Sequence, residues 1–112
     1  MKERMADDPT IACTLGAADL AVQGAAWRRL REASEIAVEP IPDGVRVRFL
    51  VETGVAEELR RLTAVENECC SWATWSVRAG DHEVALEVRS TGSGVGAARA
   101  LFAPGRAVLP PQ

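Results

Sequence analysis

The sequence predicts an α+β domain in which an antiparallel sheet carries helices on one face. Two observations lead to this fold class. Apolar residues recur every three or four positions over residues 17–34 and 55–71, as they do in amphipathic helices. After each of these segments come short runs in which apolar and polar residues alternate, which is the pattern of strands with one buried face. A helix followed by a hairpin is therefore expected twice along the chain.

The first helix and hairpin follow a short candidate strand. Residues 10–15 are β-branched and apolar, which is typical of a strand or of an extended lead-in. The first helix is expected over residues 17–34. Asp43 and Gly44 then form a turn signal in front of residues 45–51, where valines and a phenylalanine alternate with arginines. These features predict a hairpin with one buried face.

The second helix is expected after a cap signal at Thr53-Gly54 and continues to about Ser71. Two glutamates occupy its first turn, where the helix dipole favours negative charge. Two further strands with a period of two are expected over residues 73–78 and 83–90. A short helix over about 95–102 closes the domain.

The two helix-and-hairpin units superpose at a constant interval. Leu59 follows Leu20, and Val84 follows Val45, by the same 39 positions. The interval is compatible with an internal duplication and with coincidence. If residues 10–15 form a strand, the order β-α-β-β-α-β matches a ferredoxin-like core with an added strand and helix.

Composition and charge describe one compact domain. The chain has 112 residues, a formal net charge of −3 and 47% hydrophobic residues, which fits a single domain over residues 10–103 with flexible tails at 1–9 and 104–112. The sequence has no block of basic residues, so its charge does not predict a nucleic acid or an anionic membrane as a partner. No apolar run approaches the roughly 20 residues that cross a bilayer, and the N-terminus has no hydrophobic signal core. A cytoplasmic protein is therefore expected.

The face of the sheet away from the helices is expected to be polar and weakly basic. Four arginines, one or two glutamates and small polar residues are expected on this face. They include Arg46, Arg48, Thr74, Ser76, Arg78, Glu87 and Arg89. An RNA-recognition sheet would place aromatic rings on this face, whereas Phe49 and Trp75 fall on the apolar side by alternation. The pattern favours a solvated or dimerising face over a nucleic-acid interface.

Glu66 is the charged residue that is out of place on the second helix. On a helical wheel with Leu59 at zero it falls at about 340°, in the middle of the apolar arc. A buried carboxylate needs a partner, because burying it unpaired costs several kcal/mol unless it takes up a proton. The candidate partners are Arg28, Arg29 or Arg31, a tryptophan N–H, Cys70 and a bound cation. The alternative is a purely structural role in which Glu66 pins the packing of the helices.

Three cysteines complete a candidate metal site with Glu66. Cys69 and Cys70 project about 100° apart at the end of the second helix, and Cys13 could reach them from the neighbouring strand. Thiolates with a carboxylate suit a thiophilic ion such as Zn(II), Hg(II), Cu(I) or As(III). Adjacent cysteines are not the C-x-x-C spacing of structural zinc sites, and cysteines are often buried without any function. Core cysteines therefore stay open as the alternative.

The position of the thiols argues against nucleophilic or redox chemistry. They lie at a helix C-terminus, where the dipole is negative, and beside a carboxylate, and both effects disfavour the thiolate. A bound cation would reverse this balance. Trp72 and Trp75 follow the two cysteines in the sequence. Together with Trp27 they are expected either to cap the core or to line a small apolar pocket beside Glu66 and the thiols.

Six short motifs are spread over residues 11–102. They are Ala12-Cys13-Thr14-Leu15, Trp27-x-x-Leu30, Asp43-Gly44-Val-Arg-Val, Leu59-x-x-Leu62, Glu66-x-x-Cys69-Cys70-Ser-Trp72 and Leu101-Phe102. With them the chain resembles a family of small cysteine-containing domains of high-GC bacteria, similar to domains appended to mercury-resistance-type (MerR) regulators. The resemblance implies a sensing or thiophilic-metal role carried by Cys13, Glu66, Cys69 and Cys70. Any regulatory link would act through a separate partner.

Three hypotheses of function follow from these observations. The first is a small cytoplasmic binding domain that captures a soft metal ion or a thiol-reactive small molecule with its cysteine and glutamate cluster. The second is a protein-interaction or homodimerisation module whose cysteines are structural. The third is a thiol-dependent enzyme that acts on a small electrophile, with Glu66 as general acid or base. The sequence does not decide whether any reaction is catalysed.

Overall fold

A computed structural model describes residues 16–102, which form three helices and four strands. These are α1 (Ala17–Ser34), β1 (Glu35–Ile41), β2 (Gly44–Leu50), α2 (Val55–Cys69), β3 (Thr74–Ala79), β4 (Glu83–Arg89) and α3 (Ser93–Leu101). The predicted strand at residues 10–15 and both predicted tails lie outside the described residues. None of the three helices in residues 16–102 has the length and apolar character needed to cross a bilayer.

The four strands form one antiparallel sheet in the order β1-β2-β4-β3. The inner strands β2 and β4 pair with each other, so the two hairpins lie side by side. Val47 pairs with Leu86 at the centre of this contact, and Leu86 follows Val47 by the interval of 39 positions that separates the two helix-and-hairpin units. The units are therefore related by an approximate twofold axis between these residues. The α+β class is confirmed, whereas the ferredoxin-like order depends on residues 10–15 and stays a prediction.

The hydrophobic core lies between one face of the sheet and the three helices. The largest fully buried side chains are Phe49, Leu59, Leu62, Leu86, Val45, Val47, Val84 and Val88. Those from β2 have odd numbers and those from β4 have even numbers, as expected when alternate residues of paired strands share one face. Burying each such side chain contributes about 1.5–3 kcal/mol. The sheet therefore holds the helices through its predicted apolar side.

Both ends of α2 differ in detail from the ends expected from the sequence. Gly54 is the N-cap with a φ of 89°, and no side chain caps the helix. This left-handed conformation favours glycine over residues with a Cβ. The helix ends at Cys69 rather than near Ser71, and Cys70 is its C-cap. The earlier end changes the direction of the Cys70 side chain.

Two arginines hold α3 against the rest of the domain. Arg99 Nε donates to the Gly44 carbonyl at 2.9 Å, and its Nη2 donates to the Ile41 carbonyl at 2.6 Å. Arg31 Nη2 donates to the Phe102 carbonyl at 3.4 Å, and the guanidinium carbon lies 5.0 Å from the centre of the Phe102 ring. These contacts close the core beside α1.

The open face of the sheet is an ion-pair network, which corrects the expectation of a weakly basic surface. Its ion pairs are Arg46–Glu39, Arg46–Glu87, Arg48–Glu39, Arg48–Glu83, Arg89–Asp43 and Arg89–Glu87. The expected charge was too positive because Glu39, Asp43 and Glu83 were not counted on this face. Phe49 and Trp75 are buried on the helix side, as predicted.

Glu87 gives this face a pH dependence. It is 5% exposed, and hydrogen bonds from Arg89 and Arg46 hold its pKa below the usual range. A lowered pKa in the folded state gives a stabilisation that is complete above the unfolded pKa of about 4.3 and is lost as the pH falls through the folded pKa. We therefore expect the difference in free energy of unfolding between wild type and Glu87→Gln to be constant above about pH 5.5 and to shrink below about pH 4.5.

Urea titrations across this pH range measure the difference. Glu68→Gln serves as the control, because Glu68 is an exposed carboxylate of α2. Replacing this exposed side chain should change the free energy of unfolding at neutral pH by no more than about 0.5 kcal/mol. A Glu87→Gln difference that is the same in acid as at neutral pH would contradict the prediction.

Candidate metal centre

A buried carboxylate lies where α1 packs against α2. Glu66 is 9% exposed and lies on the core-facing side of α2, as the helical wheel predicts. Its Oε2 accepts hydrogen bonds from Gln23 Nε2 at 2.9 Å and from Trp27 Nε1 at 2.8 Å. Gln23 Nε2 also donates to the Leu62 carbonyl at 3.1 Å. Two side chains of α1 therefore orient the carboxylate of α2.

Two thiols lie beside the other carboxylate oxygen. Cys70 Sγ donates to Glu66 Oε1 at 3.3 Å, and the Sγ atoms of Cys69 and Cys70 are 3.5 Å apart. One ligand atom from each of these three buried residues lies within 4.8 Å of the others. The structure thus brings together three of the four residues that the sequence predicts as metal ligands.

The end of α2 explains why two adjacent cysteines face one point. Successive side chains of a continuous helix project about 100° apart. Cys70 has left the helical conformation, with φ −124° and ψ 75°, while its N–H still donates to the Glu66 carbonyl at 2.7 Å. Because the backbone turns at this residue, its thiol comes to the side of Cys69 and Glu66.

Two of the three separations are close to the edges of a tetrahedral metal site, and the third, between Cys69 and Glu66, lies within 4.8 Å. With Zn–S bonds of about 2.3 Å and Zn–O bonds of about 2.1 Å, tetrahedral angles place two sulfurs about 3.8 Å apart and a sulfur and an oxygen about 3.6 Å apart. The observed 3.5 Å between the thiols and 3.3 Å from Cys70 to Glu66 are slightly shorter. Small side-chain rotations would therefore admit an ion.

The partners of Glu66 are only partly those expected from the sequence. A tryptophan N–H and Cys70 do contact it. The arginines of α1 do not, because Arg28 and Arg29 are exposed and Arg31 pairs with Glu35. Within residues 16–102 Glu66 has hydrogen-bond donors and no arginine or lysine ion-pair partner, which is an environment that a cation would complete.

Cys13, the fourth predicted ligand, lies outside the described residues. Its role as a ligand stays a prediction. Glu66 and Cys69 of α2, with Cys70 at its C-cap, form a three-donor group without it.

Trp27 connects the carboxylate to an aromatic cluster. Its ring centroid lies 5.6 Å from that of Trp75 and 5.9 Å from that of Phe102, separations at which aromatic pairs are favourable. The side-chain amide of Asn67 donates to the Trp75 carbonyl at 2.9 Å and accepts from the Trp75 N–H at 3.0 Å. Trp72 is buried in the same core. A ligand pocket lined by the three tryptophans stays a prediction.

Gln23 is a site residue that the sequence interpretation missed. It is 8% exposed, and on a wheel of α1 with Leu20 at zero it falls at about 300°, next to Trp27 at about 340°. A polar residue inside an apolar arc is the same signal that identifies Glu66. The interval of 39 positions is a second signal, since it separates Gln23 from Leu62 and Trp27 from Glu66.

Comparison with known proteins assigns no role to the candidate ligands. Comparison of the chain with family models, with curated proteins and with solved structures finds no match.

Proposed function

We propose that this protein is a small binding domain that captures a thiophilic metal ion with Glu66, Cys69 and Cys70. The observation that carries the proposal is the approach of three buried ligand atoms to within 4.8 Å of one another. Zn(II) and Hg(II) belong to the class of ions that accept two sulfurs and a carboxylate oxygen. A small molecule that bonds to both sulfurs would use the same site.

Charge favours a cation at this place. Two thiolates and a carboxylate carry three negative charges, and burying them without compensation is costly. A divalent ion compensates two of these charges and displaces the thiol protons. Because the ion binds only deprotonated thiols, its affinity should rise with pH.

The resemblance to cysteine-containing domains of high-GC bacteria extends the proposal. It adds Cys13 as a further ligand, which would complete a four-coordinate site of three sulfurs and one oxygen. It also supports a sensing role in the cytoplasm that acts through a separate regulatory partner. A Cys13→Ser variant separates a three-ligand site from a four-ligand site.

Native mass spectrometry during metal titration tests the proposal. The full chain, purified without oxygen or chelator, is titrated with Zn(II) and with Hg(II), and one tightly held ion per chain is expected. Cys69→Ser, Cys70→Ser and Glu66→Gln should each weaken Zn(II) binding by at least about tenfold, because changes even beyond the direct ligands commonly cost that much. Glu68→Gln, which removes an exposed carboxylate from the same turn of α2, should leave the affinity unchanged.

Two outcomes would overturn the metal site. One is a wild-type chain that takes up neither ion, and the other is a Cys69→Ser/Cys70→Ser double variant with wild-type affinity. The cysteines would then be core residues, and an interaction or dimerisation module would be the remaining interpretation. Thiols that react with an alkylating probe faster than free cysteine would instead favour a thiol-dependent enzyme.

A further inference from the structure

The two hydrogen bonds that α1 makes to Glu66 end on the same carboxylate oxygen. Gln23 Nε2 lies 2.9 Å and Trp27 Nε1 lies 2.8 Å from Oε2, while Cys70 Sγ lies 3.3 Å from Oε1. A carboxylate oxygen has about two lone-pair directions, so two N–H donors occupy Oε2. Oε1, on the side of the thiols, is the oxygen left to bind an ion.

We propose that Gln23 and Trp27 are positioning residues, which make Glu66 a one-oxygen ligand through Oε1. This inference rests on the proposed metal-binding function. Both donors are themselves held in place. Gln23 Nε2 also bonds to the Leu62 carbonyl at 3.1 Å, and the Trp27 ring packs against Trp75 at 5.6 Å between centroids.

The arrangement gives α1 a direct role in a site whose proposed ligands come from α2 and its C-cap. An unrestrained glutamate rotates about three side-chain bonds, and two hydrogen bonds from a second helix remove that freedom before the ion arrives. Hydrogen-bond partners of this kind commonly contribute about 10–100-fold to metal affinity. Metal affinity therefore depends on how α1 is docked, although α1 supplies no ligand atom.

The indole N–H of Trp27 should report on the ion directly. It donates to a carboxylate whose negative charge is shared with the metal after binding, so the hydrogen bond weakens and the indole proton resonance moves upfield. Trp75 provides an internal reference, because its indole nitrogen is buried and has no hydrogen-bond partner in the described part of the chain.

The experiment uses the full chain with Zn(II) as the probe. In indole ¹H–¹⁵N spectra, the Trp27 signal should move upfield several times further than the Trp75 signal as Zn(II) saturates the chain. Trp27→Phe and Gln23→Met each remove one donor while keeping most of the side-chain bulk, and each should weaken Zn(II) binding about tenfold at unchanged stoichiometry.

Thr63→Val is the matched control for these variants. Thr63 is a 5% exposed polar residue of α2, and its hydroxyl donates to the Arg60 carbonyl at 3.1 Å rather than to Glu66. Its replacement should leave the Zn(II) affinity within about twofold of wild type, since it removes no bond to the carboxylate.

The outcomes separate this inference from the function on which it rests. Cysteine-dependent Zn(II) binding, with wild-type affinity in Trp27→Phe and Gln23→Met and a stationary Trp27 signal, would overturn the positioning role and leave the metal site standing. A wild-type chain that binds no Zn(II) would overturn this inference, and one that binds neither Zn(II) nor Hg(II) would overturn the metal site as well. If either variant fails to fold, the Trp27 signal of the wild type still decides, because it needs no substitution.

Discussion

Replacing Gly44 with alanine is expected to lower the free energy of unfolding by about 3 kcal/mol, the upper end of the usual cost of overpacking. An added Cβ would lie 1.8 Å from the Val88 carbonyl oxygen and 2.8 Å from its carbon. These are backbone atoms of β4, which pairs with β2 at this point, so the two central strands would have to separate. The Gly44 carbonyl also accepts the Arg99 bond that holds α3, and the displacement would therefore reach a third element.

Thermal unfolding followed by circular dichroism measures the loss. For a domain of this size, 3 kcal/mol corresponds to a fall of about 12–24 °C in the unfolding midpoint. Gly96→Ala is the matched control, because a Cβ there meets nothing within 4 Å. It should raise the stability by up to about 1 kcal/mol, since alanine is the better helix former. A Gly44→Ala midpoint close to that of wild type would show that β2 and β4 can separate here at little cost.

Saturation with Zn(II) is expected to stabilise the wild-type chain by about 4 kcal/mol when free metal is about 1,000 times Kd. On the proposed function, the ion would bind the folded chain preferentially, because the fold holds Glu66, Cys69 and Cys70 within ligand distance at the end of α2. The Cys69→Ser/Cys70→Ser double variant should show no such gain. The expected rise in the wild-type midpoint is on the order of 20 °C.

Unfolding scans with Zn(II) and with a chelator measure this gain. Glu68→Gln should be stabilised by the metal as strongly as wild type, because its carboxylate is exposed. An equal metal-dependent shift in the cysteine double variant would show that the ion binds elsewhere, for example at the exposed His82.

The order of helices and strands was predictable because the spacing of apolar residues within each element indicates both its type and its buried face. Val45, Val47 and Phe49 of β2 are buried, and the two arginines between them lie on the polar face, as the alternation predicts. The pairing of β2 with β4 was not predictable, since no tight turn joins these strands or sets their register. Gly44 shows the same limit. It was identified as a turn residue, but its φ lies outside the left-handed region, and the reason for glycine is the approach of Val88 from a distant strand.

The charge of the open face and the contact of Gln23 with Glu66 were not predictable from the sequence pattern. Glu39 pairs with the arginines of β2 within the first hairpin, and Glu83 pairs with Arg48 because the two hairpins lie side by side. The predicted partners of Glu66 included the arginines of α1, which do not contact it, and a tryptophan N–H, which Trp27 supplies. Gln23 was not among the predicted partners. Side-chain direction across two packed helices depends on their relative rotation, which the local pattern of either helix leaves open.

By itself the sequence determined the α+β class, the burial of Glu66 and the nearness of Glu66 to two thiols, because all of these follow from helix and strand periods over a few residues. Only the tertiary structure decided that the Cys70 thiol turns toward Glu66 Oε1 and that Gln23 and Trp27 occupy Oε2. The thiol direction depends on where α2 ends, and the two α1 donors come from positions 43 and 39 residues before Glu66. Contacts over such separations exist only once the sheet has brought the two helices together.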